Sequence, residues 1–114
     1  MAEKFDVLVI GGGGAGYAAA STAARLGKRV AMAERWKLGG TCLNVGCVPT
    51  KTLIRAAQVA ETVRRAAEFG IQVDGWRVDY PRVVGRAREI VRGFSGEGPR
   101  ESLARQGITL LEAR

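Results

Sequence analysis

Phe5 to Gly16 reads FDVLVIGGGGAG, and the order of its parts decides the fold. FDVLVI is a short apolar run rich in strand-formers, of a kind that suits a strand buried on both faces of a parallel sheet. Four glycines then break it. Outward from the turn, Ala15 to Leu26 carries Ala15, Ala19, Ala23 and Leu26 at helical spacing, and Gly27 stands where a helix is expected to stop. Arg29 to Ala33 (RVAMA) predicts a second strand, ending at Glu34. Strand, glycine turn, helix and strand within about thirty residues form a βαβ unit.

Gly11, Gly13 and Gly16 occupy the three fixed positions of G-x-G-x-x-G. The first permits the tight turn, the second lets backbone approach a pyrophosphate, and the third lets helix pack closely on strand. The helix that follows aims free N–H groups and its positive end at the same place. Glu34 lies about twenty residues on, where a carboxylate can accept ribose hydroxyls; it could also merely begin a solvated loop. Gly14 is an additional glycine that weakens the first helical turn without disturbing the motif. The pattern predicts an α/β, Rossmann-like dinucleotide-binding fold with a parallel sheet. It does not distinguish FAD from NAD.

Arg35 to Val48 reads as a loop, with Pro49 as the first residue of a helix. Leu53, Ala56, Ala57, Ala60, Val63 and Ala67 trace one face of that helix to about Phe69. Gly70 to Trp76 is a connection, and a further helix spans about Tyr80 to Phe94, with Val83, Ala87, Ile90, Val91 and Phe94 inward. Ser95 to Pro99 reads as a turn, Arg100 to Gln106 as a short helix closed by Gly107, and Ile108 to Leu111 as a third strand.

Hydrophobic residues make up 46% of the 114 and charged residues 25%, a globular balance. No apolar run approaches the ~20 residues that span a bilayer, and the start lacks the features of a secretory signal, so a cytoplasmic protein is expected. The net charge of +7 invites an acidic or nucleic-acid partner. Arg64, Arg65, Arg82, Arg86, Arg88 and Arg92 instead fit outward faces of helices, and no aromatic residues interleave with them, so nucleic-acid binding is not expected.

There are two cysteines, Cys42 and Cys47, and no histidine. Two cysteines cannot complete a structural zinc site, so no metal is expected. Cys47 lies just before Pro49, where a helix N-terminus should stabilise its thiolate, and Lys51 adds positive charge one turn on. Two thiols in one loop suit reversible thiol–disulfide exchange. The spacing alone leaves open two unrelated core cysteines, while C-x4-C excludes the C-x-x-C of thioredoxin-like proteins.

Residues 37–51 read KLGGTCLNVGCVPTK. This stretch resembles the active-site signature G-G-T-C-x-N-x-G-C-x-P-[ST]-K of the pyridine nucleotide–disulfide oxidoreductases at every fixed position. That family includes lipoamide dehydrogenase, glutathione reductase and mercuric reductase. The resemblance runs through most of the chain and is strongest from Phe5 to Leu53; members usually have proline where Gly14 stands here. It implies that FAD is the dinucleotide, held by Gly11, Gly13, Gly14, Ala15, Gly16, Glu34 and Arg35, with Gly40 and Thr41 near its phosphates. It implies a redox-active Cys42–Cys47 disulfide, with Cys47 facing the flavin, Cys42 meeting substrate sulfur, and Lys51 beside the flavin.

The implied activity is an electron relay between NAD(P), FAD, the cysteine pair and a small-molecule or lipoyl-type disulfide or dithiol. Dihydrolipoamide dehydrogenase-type chemistry is favoured; a mercuric reductase-like enzyme is the alternative, on the wording of residues 79–105. Family members are several times longer, form homodimers, and carry an NAD(P)-binding domain, a dimerisation domain and a C-terminal histidine base. The whole of 1–114 is therefore expected to be the N-terminal part of an FAD-binding domain, from a longer reading frame and inactive alone. The competing class is a stand-alone flavin- or nucleotide-binding module without turnover.

Overall fold

Val7–Ile10 forms β1, Gly14–Arg25 α1 and Val30–Glu34 β2 in a computed structural model that describes residues 2–112. β1 and β2 run parallel, Val7 opposite Val30 and Ile10 opposite Ala33. Gly40–Asn44 is α2, Cys47–Arg64 α3, Tyr80–Ser95 α4 and Glu97–Arg105 α5, and Thr109–Glu112 closes as β3. β3 joins the free side of β2, also parallel, to give the order β1-β2-β3. The chain is thus α/β with a βαβ start.

The core lies between the sheet and α1 with α5. Ala20, Val30, Met32, Leu38, Leu103 and Ile108 are buried together, with Val7, Val9, Tyr17, Ala23, Ala24 and Leu110 packed around them. The Tyr17 hydroxyl bonds the Ser102 hydroxyl and accepts from Gln106, tying α1 to α5. The packed face of α1 therefore runs through Gly16, Tyr17, Ala20, Ala23 and Ala24, while Ala15, Ala19 and Leu26 face solvent. That corrects the expected face. A helix this rich in alanine offers little hydrophobic contrast, and the close approach at Gly16 sets its rotation instead.

β1 departs from a strand buried on both faces. Leu8 is 57% and Ile10 86% exposed, so the second face of the sheet is uncovered at this strand among the described residues. Continuous apolarity reports what a strand can bury, not what is present to cover it.

The stretch expected to be one loop before Pro49 contains α2, and α3 begins at Cys47 rather than Pro49. Pro49 is the third residue of its helix, as is Pro99 in α5, and Pro81 is the second of α4. The first-turn N–H groups have no intrahelical partner, so proline costs nothing at any of these positions. A proline therefore locates a helix start to within a turn, not to the residue. The same freedom lets α5 absorb most of the expected Ser95–Pro99 turn, with Glu97 favoured at its N-terminus by the helix dipole. Asp79 caps α4, its carboxylate accepting from the Arg82 N–H at 3.1 Å.

α3 stops at Arg64, and a 3₁₀ turn, Ala66–Phe69, carries the apolar spacing on to Gly70. α3 and α4 pack on each other as an arm that leaves the sheet. No residue of α3 is fully buried, and the expected inward residues Leu53, Ala57, Ala67 and Phe94 are exposed. The Cα radius of gyration is 20.2 Å, against the ~13 Å of a compact domain of about 100 residues. Arg64 and Arg65 pair with Glu61 and Glu68 at the surface, as outward-facing arginines should. No helix among the described residues is long and apolar enough to cross a membrane.

Candidate functional site: a glycine cradle beside paired thiols

The glycine turn is built by close contacts that only glycine permits. A Cβ on Gly16 would fall 1.9 Å from the Gly11 carbonyl oxygen, and Gly11 itself has φ +97°. Gly12, an unassigned position of the motif, is also crowded, though by side chains rather than backbone: its Cβ would lie 2.7 Å from the end of the Leu38 side chain and 3.3 Å from Glu34 Oε2. The run of four glycines was the signal for it. Gly14 has nothing within 4 Å of its Cβ position, so it leaves the N-terminus of α1 open.

That end of α1 can take an anion. Its cap residue, Gly13, makes no side-chain bond to the helix, and the first turn carries no acid. The N–H groups of Gly14, Ala15 and Gly16 belong to the first turn, whose N–H groups lack intrahelical acceptors. A pyrophosphate would satisfy them and meet the positive helix end. The residues present fit such a group.

Glu34 ends β2 with its carboxylate divided between two backbone donors. Oε2 accepts from Gly12 N–H at 2.7 Å and Oε1 from Trp36 N–H at 2.8 Å. These bonds, the Gly12 bond above all, hold its carboxyl below the usual glutamate range. Glu34 therefore braces the turn, and each oxygen keeps a further lone pair for a donor. Arg35 is exposed and lines, with Glu34, a pocket of about 430 Å³ beyond the ends of β2 and β3.

The folded carboxyl titrates below its unfolded value, so its contribution is complete above the ordinary glutamate range. It is lost as pH falls through the lowered value. Glu34→Gln should cost about 1–2 kcal/mol at neutral pH, the difference between charged and neutral acceptors. Thermal unfolding followed against pH should show the gap between variant and parent closing on acidification. A gap that persists into acid would mean that the Gly12 bond does not depend on charge.

The cysteine loop is fastened to the same turn. Gly39, at φ +91°, donates its N–H to the Gly12 carbonyl at 2.7 Å. A Cβ on Gly40 would come 3.0 Å from Gly13 Cα, so two backbones meet here. Asn44 closes the loop from the other side, its Nδ2 donating to the carbonyls of Leu38 at 3.1 Å and Gly40 at 2.8 Å. Gly39 and Asn44 are fixed positions of the signature, but the sequence assigned neither a part in holding the loop.

Cys42 is the third residue of α2 and Cys47 the first of α3, with Gly46 between them as the cap of α3. Gly46 is needed because a Cβ there would reach within 2.9 Å of the Thr41 carbonyl oxygen. Both cysteines are free thiols and both are exposed, which removes the reading of them as core residues. The neighbouring Cys47, as a side-chain hydrogen-bond partner first, then desolvation and the charge of Cys47, raise the Cys42 thiol above its ordinary value, against the pull of Lys51. Thr41 is exposed beside Cys42. Lys51, one turn into α3, also lines a larger cleft of about 1100 Å³ between α3 and α4, away from the glycine turn.

Residues 5–111 match the sequence family described as pyridine nucleotide-disulphide oxidoreductase. The chain is 43% identical over 112 residues to a dihydrolipoyl dehydrogenase of Chlamydia pneumoniae, which covers 98% of this chain and 24% of that protein. It is 45% identical over 91 residues to the Bacillus subtilis (strain 168) dihydrolipoyl dehydrogenase, 80% of this chain and 19% of that one. The Acholeplasma laidlawii dihydrolipoyl dehydrogenase is 39% identical over 93 residues, 81% of this chain and 28% of that one. The chain thus spans about a quarter of the length of the curated relatives it matches. A match running from Phe5 to Leu111, through the glycine turn and both cysteines, makes this chain a member of the pyridine nucleotide-disulphide oxidoreductase family.

Proposed function

We propose that this chain forms the FAD-binding start and the thiol centre of a cytoplasmic, homodimeric flavoprotein that oxidises dihydrolipoamide with NAD(P). The observation that carries the reading is a pair of exposed thiols, Cys42 in α2 and Cys47 at the start of α3, in a loop whose backbone rests on an anion-ready glycine turn. The relatives' names favour a lipoyl dithiol over mercuric ion. Gly11, Gly13, Gly14, Ala15 and Gly16 would hold the pyrophosphate of FAD, with Gly40 and Thr41 alongside and Glu34 and Arg35 toward the adenosine. Lys51 would lie near the flavin. Bound there, FAD supplies two-electron redox chemistry to the thiol centre.

The chain's own part is exchange at sulfur. With Cys42 and Cys47 joined as a disulfide, a substrate thiolate attacks Cys42 Sγ, and Cys47 leaves as a thiolate. The second substrate thiolate then attacks the substrate sulfur of the mixed disulfide, and Cys42 leaves. The substrate becomes a cyclic disulfide, and the two cysteine sulfurs released as thiolates take up the two protons that the substrate thiols shed on ionising, a transfer of two electrons and two protons. Cys42 is the thiol raised by its neighbour, so its ionisation calls for a base. No histidine stands in the chain to serve as that base.

Titration of the chain with FAD, followed by flavin fluorescence, is expected to show saturable one-to-one binding that Gly13→Val abolishes. Added dihydrolipoamide should then convert an oxidised Cys42–Cys47 pair to thiols, read by alkylation and mass. Absence of saturable binding, or binding indifferent to Gly13→Val, sinks the cofactor assignment. A pair that dihydrolipoamide leaves oxidised sinks the substrate.

A further inference from the structure

Asn44 sits between the two halves of the site and touches both through backbone. Its amide reaches back from the last residue of α2 to the carbonyls of Leu38 and Gly40. Two carbonyl oxygens within 3.1 Å fix which way the amide faces, since the flipped group would set oxygen against oxygen. The remaining Oδ1 is buried without a partner among the described residues. Leaving an acceptor unmade is costly, so the two donated bonds are what hold the side chain in place. Leu38 is itself buried against Gly12, and Gly39 and Gly40 are the residues that meet Gly12 and Gly13. Cys42 lies two residues before Asn44 in the same short helix, and Cys47 three residues after.

We infer that Asn44 is a positioning residue that couples the glycine cradle to the thiol pair. By holding residues 38–40 on the turn and the end of α2 against them, it lets occupancy of the cradle alter the relative reactivity of Cys42 and Cys47. The coupling half rests on the proposed reading that FAD occupies the cradle; the clamp itself does not.

The test uses the whole chain with Asn44→Asp and Asn44→Thr. Aspartate keeps the shape but replaces the donating amide with a second acceptor facing two carbonyls. Threonine can restore the bond to Gly40, four residues back, as Thr52 does to Val48 and Thr62 to Gln58 in α3, both at 2.9 Å. It cannot reach Leu38 as well. Far-ultraviolet circular dichroism establishes that each variant is folded. FAD affinity is read by flavin fluorescence, and iodoacetamide modification of each cysteine by mass spectrometry, with and without FAD.

In the parent, FAD should change the Cys42:Cys47 rate ratio at least threefold. Asn44→Asp is expected to weaken FAD at least tenfold, shift the ratio without FAD, and leave it unresponsive to FAD. Asn44→Thr should recover most of the parent ratio and only part of the affinity. Loss of stability alone would not separate the two cysteines in this way. If Asn44→Asp binds FAD within twofold of the parent with an unchanged ratio, the inference is overturned; should Asn44→Asp not fold, parent-like values for both readouts in Asn44→Thr overturn the Leu38 half. A parent chain that binds no FAD overturns the proposed function and the coupling, while the ratio without FAD still decides the clamp.

Discussion

Gly16→Ala is expected to destabilise the chain by about 3 kcal/mol or more, at the upper end of the range for overpacking a filled site. The added methyl would lie 1.9 Å from the Gly11 carbonyl oxygen, 3.0 Å from its carbonyl carbon and 3.3 Å from a methyl of Val9. The nearest atoms are backbone, and Gly11 is itself held by its N–H bond to the Ala33 carbonyl at 2.8 Å, so neither side has a rotamer to yield. Relief requires α1 to lift off β1, which uncovers Ala20 and Met32 in the core. Each kcal/mol shifts the melting point of a small domain by roughly 4–8 °C, so a fall beyond 10 °C should appear in a thermal melt. Gly14→Ala is the control. Nothing stands within 4 Å of its Cβ position and its φ is negative, so alanine should stabilise the helix by up to about 1 kcal/mol. A Gly16→Ala protein melting within two degrees of the parent would refute the contact.

The difference between these neighbours marks what a sequence exposes. Gly11, Gly13 and Gly16 were legible because their need arises within a dozen residues, from the turn and the helix it launches. Gly12 answers to Leu38 and Glu34, more than twenty residues away, so the motif records it as an arbitrary position. Glu34 was located by its distance from the turn, yet its bond to Gly12 depends on how β2 lies beside β1, which spacing does not describe. The helix of Cys47 was legible from Pro49 but not its first residue, because proline fits anywhere in a first turn. α2 was hidden behind a glycine pair: Gly39, at φ +91°, and Gly40, at φ +58°, suggest a loop, although the second of them opens a helix.

Packing faces followed a similar rule. α4 carries large apolar residues against arginines, and four of its five expected inward positions are buried or partly so. α1 carries six alanines in twelve residues, and its inward face came from one glycine contact. Leu8 and Ile10 could be assigned to a strand but not to a covered face, because the cover for a strand is supplied by other parts of a chain. In the thiol centre, the residue types announced the chemistry. The raised titration of Cys42 depends on the placement of Cys47 beside it.

That placement yields the second large effect. Cys47→Ser is expected to lower the titration of Cys42 toward that of an ordinary thiol. Cys47 as a side-chain hydrogen-bond partner is the first cause of its elevation, and the charge of a Cys47 thiolate a further one. Serine removes that charge and offers a hydroxyl that stays protonated, so Lys51, already pulling the other way, meets less opposition. The pH dependence of Cys42 alkylation in Cys47→Ser, set against that of Cys42 in the parent, reads the shift directly. Under the proposed function, Cys47→Ser and Cys42→Ser each remove one sulfur of the exchanging pair, and dithiol oxidation by the complete enzyme should fall by at least about 10³-fold in both. The two variants then separate. Cys42→Ser leaves no sulfur for substrate to join, whereas Cys47→Ser retains Cys42, whose thiolate can attack added oxidised lipoamide: one lipoamide sulfur joins Cys42, the other leaves as a thiolate, and the mixed disulfide is visible by mass under non-reducing conditions. An unchanged Cys42 titration in Cys47→Ser would show that Cys47 is not what raises Cys42, and the coupling between the two thiols would fall with it.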